Sequence, residues 1–486
     1  MDWNKYLSSL RVRPNYQDEA SSDKRTPFES DYGRVMFSSA IRRMHDKTQV
    51  IPLTNGDSIL TRLTHSIQVM NVAESLVLNY TRSDSFKKEY PDLEIRSQLV
   101  SDLLAIVRSA AFVHDVGNPP FGHLGETVVQ EYFKIQKAKQ NNFCATAEDE
   151  KELERQALDF TQFDGNAQGF RILTRLQYIG ALDGLNLTYA TLAAYMKYPN
   201  PGEKDKSYIG TEKHGIFWSE EKVFNNIVNA CNLRLPQKRV KRHPLSFLVE
   251  AADSIAYLTM DIEDGFGLKW FSFETLINGI NEILNDGNKE QKKDIVDIIG
   301  FKSRGYVDQK VVPGADRKTM VDFRVAMIQY LVNLAVNNFI KNDNAIDLGE
   351  YSKELIEDDE YNVAKALNKF SQKYIFARRE ICSEEMTGRT VLIGLLDQLS
   401  YYAFSDDVVY RNKVKSVISR SRLELSMHEN SYRGEEYKFF NDTELYKYDI
   451  KDMGYYGRWR MIVDFVSSMT DKYAVYLYQQ LSGNKI

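Results

Sequence analysis

The chain has 486 residues, 43% of them hydrophobic, which is enough for a large core and leaves room for two or three domains. Lys plus Arg number 63 against 68 Asp plus Glu, and the formal net charge of -5 argues against a general nucleic-acid binder while leaving room for a local basic patch. Cys144, Cys231 and Cys382 lie far apart without CxxC spacing, so neither a disulfide framework nor a zinc ribbon is expected, and a reducing cytoplasm fits.

No apolar leader opens the chain, and no run of roughly 18 apolar residues predicts a membrane span. Residues 14–31 are polar, hold two prolines and read as a loop. Leu60, Leu63, Ile67, Met70, Ala73, Val77 and Tyr80 then recur at helical spacing and predict one buried stripe. Leu99, Leu103, Val107, Ala110 and Val113 predict a second. Residues 137–157 are polar and read as a surface excursion. The cluster Tyr198-Pro-Asn-Pro-Gly-Glu-Lys-Asp-Lys stops the helix before it. A third stripe runs through Leu248, Ala251, Ile255, Leu258 and Ile262. Residues 284–294 and 341–360 are charged and read as solvated. Sustained alternation is rare and prolines number only 11, so the expected fold is all-α.

Histidine is scarce, with seven in all, and two are followed by aspartate: His45-Asp46 and His114-Asp115. A bare His-Asp pair is weak evidence, since a capping His beside a surface Asp gives the same dipeptide. His114-Asp115 closes an apolar helix and runs into Val-Gly-Asn-Pro-Pro-Phe-Gly-His-Leu-Gly-Glu, where the two prolines force a stop. Imidazole and carboxylate beside a rigid turn suit Mg, Mn, Fe, Co or Zn. His65 on an earlier helix is a third candidate ligand, and Arg62 shares its face, as a phosphate-binding guanidinium would. Asp253 stands among small apolar residues, a costly place for a lone carboxylate. Asp253, Tyr257 and Asp261 are spaced by four and line one stripe, which reads either as a lined pocket or as a solvent face.

The order His65, His114-Asp115, Asp253 resembles the HD superfamily of metal-dependent phosphohydrolases. Longer motifs narrow this: Ser38-Ser-Ala-Ile-Arg-Arg-Met with Lys47-Thr-Gln-Val-Ile-Pro-Leu, Thr61-Arg-Leu-Thr-His-Ser, His114 to Glu126, Asp164-Gly-Asn-Ala-Gln-Gly-Phe-Arg, Leu187 to Pro199, Glu250-Ala-Ala-Asp-Ser-Ile-Ala-Tyr, and Asp464-Phe-Val-Ser-Ser-Met-Thr-Asp-Lys-Tyr-Ala. Together, spanning roughly residues 30 to 480, they resemble the dGTPase-type deoxynucleoside triphosphate triphosphohydrolases.

That resemblance implies an N-terminal arm (1–30), an HD-domain helical core (31–270) and additional C-terminal helices (271–486). It implies water attack at the α-phosphorus of a dNTP, dGTP first among them, giving deoxynucleoside and inorganic triphosphate. It implies one divalent metal ion per subunit, Mn or Mg with Co, Fe or Zn as alternatives, on His65, His114, Asp115 and Asp253. His123 matches the catalytic histidine and Glu126 the carboxylate that orients it. Arg62 matches the α-phosphate contact, and Asn166, Lys197 and Lys213 match contacts to the outer phosphates. Tyr257 and Asp261 match sugar contacts, and Gln49 and Val50 the segment near sugar and base. A homo-oligomer such as a hexamer, and a nucleotide or single-stranded DNA effector, complete the implied partners. Another HD nucleotide phosphodiesterase and a nucleotide sensor are the alternative readings.

Overall fold

The computed structural model describes residues 1–13, 24–49, 61–139, 150–177, 183–236, 239–286, 293–302, 306–307, 310–311, 317–431 and 441–484. The described chain is helical, as expected; its strand content is one two-residue antiparallel ladder, Tyr306–Val307 with Lys310–Val311. In chain order the helices are α1 (Pro27–Met36), α2 (Ser39–Met44), α3 (Arg62–Arg82), α4 (Asp84–Glu89), α5 (Leu93–Phe112), α6 (Gly122–Lys139), α7 (Glu150–Thr161), α8 (Gly165–Arg171), α9 (Tyr189–Tyr195), α10 (Glu221–Ala230) and α11 (Pro244–Gly267). They continue as α12 (Phe273–Leu284), α13 (Ile295–Ile298), α14 (Arg317–Lys341), α15 (Asp343–Leu348), α16 (Val363–Ser371), α17 (Arg379–Ala403), α18 (Val408–Val417), α19 (Arg420–Ser431), α20 (Asp442–Lys447), α21 (Gly454–Ser467) and α22 (Asp471–Leu481).

Side-chain caps start the helices that carry the site. Thr61 and Thr64 form a reciprocal capping box at α3, Asp164 caps α8, and His243 caps α11 ahead of Pro244 at its first position. Helix α3 packs on α5 and α11, and α14 packs on the outer side of α11. These helices share a large apolar cluster with α9, α12 and α16. A second cluster joins α6 and α7 to α17, α21 and α22. Helices α6 and α7 therefore pack with the C-terminal helices, and α12, α14 and α16 with α3, α5 and α11.

Helix α14 is long and apolar enough to cross a membrane by length and composition. Met320, Phe323, Met327, Leu331 and Ala335 form its buried face, as in a core helix of a folded domain.

Several local expectations change. Within the predicted loop 14–31, residues 14–23 lie outside the described part, but Thr26-Pro-Phe-Glu29 is a capping box that opens α1 four residues before the loop was expected to end. Residues 343–348 of a stretch read as solvated are helical. The stripe on α3 is rotated: Ile67 is 46% exposed, while Arg62, His65, Ser66, Val69, Val72, Leu76 and Tyr80 face inward. Hydrophobicity alone misses this face because two of its residues are the polar ones that build the site. The stripes on α5 and α11 are buried as expected.

Candidate active site

Three separate helices deliver one cluster. His65 comes from the first turn of α3, His114 and Asp115 from the residues just past α5, and Asp253 from the middle of α11. His65 Nε2 lies 3.0 Å from Asp253 Oδ1, and His114 Nε2 lies 3.4 Å from the same oxygen and 3.6 Å from Asp115 Oδ1. The ligand atoms of His65, His114 and Asp115 all fall within 4.8 Å of one another.

His114 Nδ1 donates to the Ala111 carbonyl at 2.8 Å, which leaves Nε2 with its lone pair. That Nε2 is buried without a hydrogen-bond partner, a vacancy that a metal ion fits and that a merely structural histidine would fill. Two imidazoles and two carboxylates make a borderline donor set for a divalent ion. Without an ion the cluster is charged internally. Burial pulls His114 down, but Asp115 and Asp253 outweigh it and push it up to about 9. Burial raises Asp115, yet Arg62 and His114 hold it down to about 2. Arg62 is buried, and its Nη1 reaches Asp115 Oδ2 at 2.5 Å.

The second feature is the turn between α5 and α6. After Pro119-Pro120, Phe121 and Gly122 both take left-handed conformations, with φ of 62° and 56°. A Cβ on Gly122 would lie 2.4 Å from Arg62 Nη2, and the left-handed φ also favours glycine there. The turn delivers His123 to the first turn of α6 with its ring exposed. His123 Nδ1 pairs with Glu126 Oε2 at 3.0 Å, and Glu126 Oε1 accepts from Gly165 N at 2.7 Å. This bond to Glu126 raises the His123 imidazole above its ordinary range. Burial raises Glu126, but His123 and Lys213 outweigh it and lower it. Gly117 explains the closeness of the two motifs: a Cβ there would lie 2.0 Å from Gly165 O and 2.1 Å from Gly169 N.

Away from the histidines, the same cavity of about 460 Å³ is lined by Arg62, His114, Asp115, His123, Glu126, Asn166, Lys197, Lys213, Asp253, Tyr257, Asp261 and Gln49. His65 lies behind it, buried against Asp253. Val50 falls outside the described residues. The lysines are not loose. Lys213 Nζ meets Asp164 Oδ2 at 3.0 Å, and Asp164 Oδ1 also accepts from the Asn166 amide nitrogens, both at 2.8 Å. Lys197 Nζ lies 3.4 Å from Glu250 Oε1, and both ammonium groups stand 5.6 Å from the Tyr198 ring. Burial lowers Lys197, but Tyr198, Glu250 and Glu354 together keep it charged. Asp253, Tyr257 and Asp261 face the cavity along one side of α11, which selects the lined pocket over the solvent face. Burial, with Asp264 and Asp253, pushes the Asp261 carboxyl well up.

Sequence reasoning missed several residues. Glu354, in the stretch read as solvated, lines the cavity and accepts from Ser254 Oγ at 2.8 Å, and burial pushes it up to about 7. Asp471 closes the site from the C-terminal region: its Oδ2 accepts from Thr48 N at 2.9 Å and Thr48 Oγ1 at 2.7 Å, and its Oδ1 from Phe121 N at 3.0 Å. The motif around it was visible in the sequence, but nothing there said where it folds. Asp464, in the same motif, is buried against Arg171 and Arg460. Arg460 and Arg458 are thus packed inside the C-terminal helices, away from the cavity. His45 and Asp46 are both exposed and sit apart from the cluster.

No protein-family model matches the chain. Curated sequences resemble it along nearly its whole length. A "Deoxyguanosinetriphosphate triphosphohydrolase-like protein" of Listeria monocytogenes is 31% identical over 99% of this chain and 100% of its own length. One of the same name from Synechocystis is 30% identical over 99% of both. A "Deoxyguanosinetriphosphate triphosphohydrolase" of Klebsiella pneumoniae is 30% identical over 98% of both.

Proposed function

The chain belongs to the deoxyguanosinetriphosphate triphosphohydrolase-like family of enzymes, and we propose that it hydrolyses deoxynucleoside triphosphates, dGTP first among them, to a deoxynucleoside and inorganic triphosphate. The observation that carries this reading is the convergence, on one cavity, of a ligand-competent His/His/Asp/Asp cluster, a His–carboxylate pair and two lysines.

In the proposed reaction, water oxygen bonds to the α-phosphorus and the bond from that phosphorus to the sugar O5′ breaks. The leaving O5′ needs a proton. His123 can give it from Nε2, because Glu126 holds Nδ1 and favours the protonated ring. Arg62 binds the α-phosphate from the floor of the cavity, where a buried guanidinium acts at low dielectric. Lys197, Lys213 and Asn166 take the outer phosphates. The triphosphate displaces the carboxylates that hold the lysines in the free protein. Tyr257 packs on the deoxyribose and excludes a 2′-hydroxyl, and Asp261, one turn further along α11, meets the 3′-hydroxyl. Gln49, whose Oε1 is buried without a partner, reaches toward the sugar and base.

His65, His114, Asp115 and Asp253 would hold one divalent ion, Mn or Mg, which when bound polarises the phosphate and lowers the pKa of a water. The test incubates the protein with Mn or Mg and each of the four dNTPs and GTP, then separates products. Deoxynucleoside plus triphosphate, absent with GTP and lost in His114→Ala/Asp115→Ala, is the expected result. Cleavage of a diester without triphosphate release would overturn it.

A further inference from the structure

Behind the turn that ends in Asp471 lies a second cavity, of about 360 Å³, outside the site described above. Arg43 of α2, Arg422 of α19, Ser421, Thr470 and the Gln177 amide are among its polar lining, and among the described residues no carboxylate lines it. Arg422 is 6% exposed, and its Nη1 is buried without a hydrogen-bond partner. The nearest carboxylates are already engaged. Arg171 binds Asp464, Glu220 and Glu429, and Arg460 adds a further bond to Asp464.

Arg43 and Arg422 therefore face the same space with like charge. Burial pulls Arg422 down to about 10, and Arg43 and Arg171 add to that against the pull of Asp464. A buried guanidinium nitrogen without an acceptor is unfavourable, and the one amide oxygen in the lining, Gln177 Oε1, is already taken by Ser39 Oγ and Ala40 N, so a cavity that brings two guanidinium groups together corrects this by admitting an anion. The Thr470 hydroxyl accepts from Tyr473 N, so its hydrogen remains available to a ligand oxygen.

We propose that this cavity is a second anion site, and that it takes a phosphate-type oxyanion held by Arg43 and Arg422. Such a group needs several converging donors, and guanidinium forks match it. The site also borders the catalytic turn. Thr470 precedes Asp471, and Arg43 lies four residues before Lys47, which donates to the Ser467 carbonyl at 3.0 Å and precedes Thr48. A bound oxyanion would brace both sides of the Thr48–Asp471 contact.

The test is calorimetric titration of the full chain in EDTA with inorganic phosphate and with inorganic triphosphate. Lys213→Ala weakens the active-site contribution, and Arg43→Ala removes the proposed one. Arg43 is only half-buried, so this variant should fold. The expected result is binding that survives Lys213→Ala and weakens about tenfold or more in Arg43→Ala. Equal binding by wild type and Arg43→Ala would overturn the proposal, as would binding lost entirely in Lys213→Ala or no binding of either probe.

Arg422→Met gives an independent check on melting temperature. Phosphate should raise it in wild type and leave it unmoved in the variant. A variant that melts lower than wild type, with phosphate without effect on either, would mean that Arg422 serves packing alone. In the Lys213→Ala background, dGTP binding no tighter than triphosphate assigns the site to a free oxyanion. Tighter binding that Arg43→Ala then weakens assigns it to the phosphates of a nucleotide, and either assignment upholds it.

Discussion

Glu126→Gln isolates the His123 pair with little change in shape. The wild-type carboxylate does two jobs: Oε1 accepts from Gly165 N at 2.7 Å, and Oε2 pairs with His123 Nδ1 at 3.0 Å. A glutamine keeps the first through its carbonyl and presents an NH2 to the ring, so Nδ1 must become the acceptor and the protonated imidazole loses its partner. A charge-assisted hydrogen bond is worth about 1.5–3 kcal/mol when shielded from water. The His123 ring is 82% exposed, so solvent screening reduces this to about 1 kcal/mol.

The sign follows from the direction of the shift. His123 is raised in the folded wild type, so its acid form persists above the ordinary histidine range and is lost as pH rises through the raised value. In Glu126→Gln the alkaline limb of kcat/KM should move toward acid. The pH–rate profile for triphosphate release, measured from pH 5 to 9, checks it. An unchanged alkaline limb would refute His123 as the proton donor to O5′. Folding is a separate matter, and circular dichroism across the same range controls for it.

Four further outcomes are expected. Asp471→Asn leaves one amide oxygen where three donors converge, so at least one buried donor loses its acceptor at a cost of about 2 kcal/mol; kcat should fall more than KM rises, and a variant that only melts earlier would show that Asp471 does not position the His123 turn. Gly117→Ala forces backbone apart at Gly165 and Gly169 and should cost about 3 kcal/mol or more in urea denaturation. His114→Ala should weaken Mn binding by about 100-fold or more, read by calorimetry without substrate, while the helical signal in circular dichroism stays. Tyr257→Ala opens the cavity beside α11 and should raise GTP turnover relative to dGTP; an unchanged ratio would remove Tyr257 from sugar selection.

What could be read from the sequence follows from what each residue's neighbours are. His114-Asp115 was readable because two prolines and a string of glycines surround it, and such a turn has few other uses. Asp253 was readable because a carboxylate among Ala, Ile and Leu needs a partner. Arg62 and His65 were found by chemistry, while the apolar pattern around them pointed to a face rotated away from theirs. Glu354 sits in a run of charges, Glu354 to Glu360, whose composition looks solvated. Only the fold brings it over Ser254 and Lys197. The capping box of α1 was in view as Thr26-Pro-Phe-Glu29 and was outweighed by the polar residues before it.

Asp471 is the deepest of these omissions, and its reason is topological. It lies 350 residues from Phe121 and 423 from Thr48, and both contacts depend on α22 packing on α17. No local pattern carries information over that distance. The arrangement has a mechanical consequence: α6, which bears His123 and Glu126, shares its apolar cluster with α17, α21 and α22, whereas α3, α5 and α11, which bear the ligand cluster, belong to the other. The His123–Glu126 pair and the cluster of His65, His114, Asp115 and Asp253 thus stand on different packing units. They meet through Gly117 and the Asp471 carboxylate. A small shift of α22 against α3 would change the distance from His123 to the Asp253 cluster without disturbing either core. This makes the junction, more than either cluster, the place where activity can be tuned.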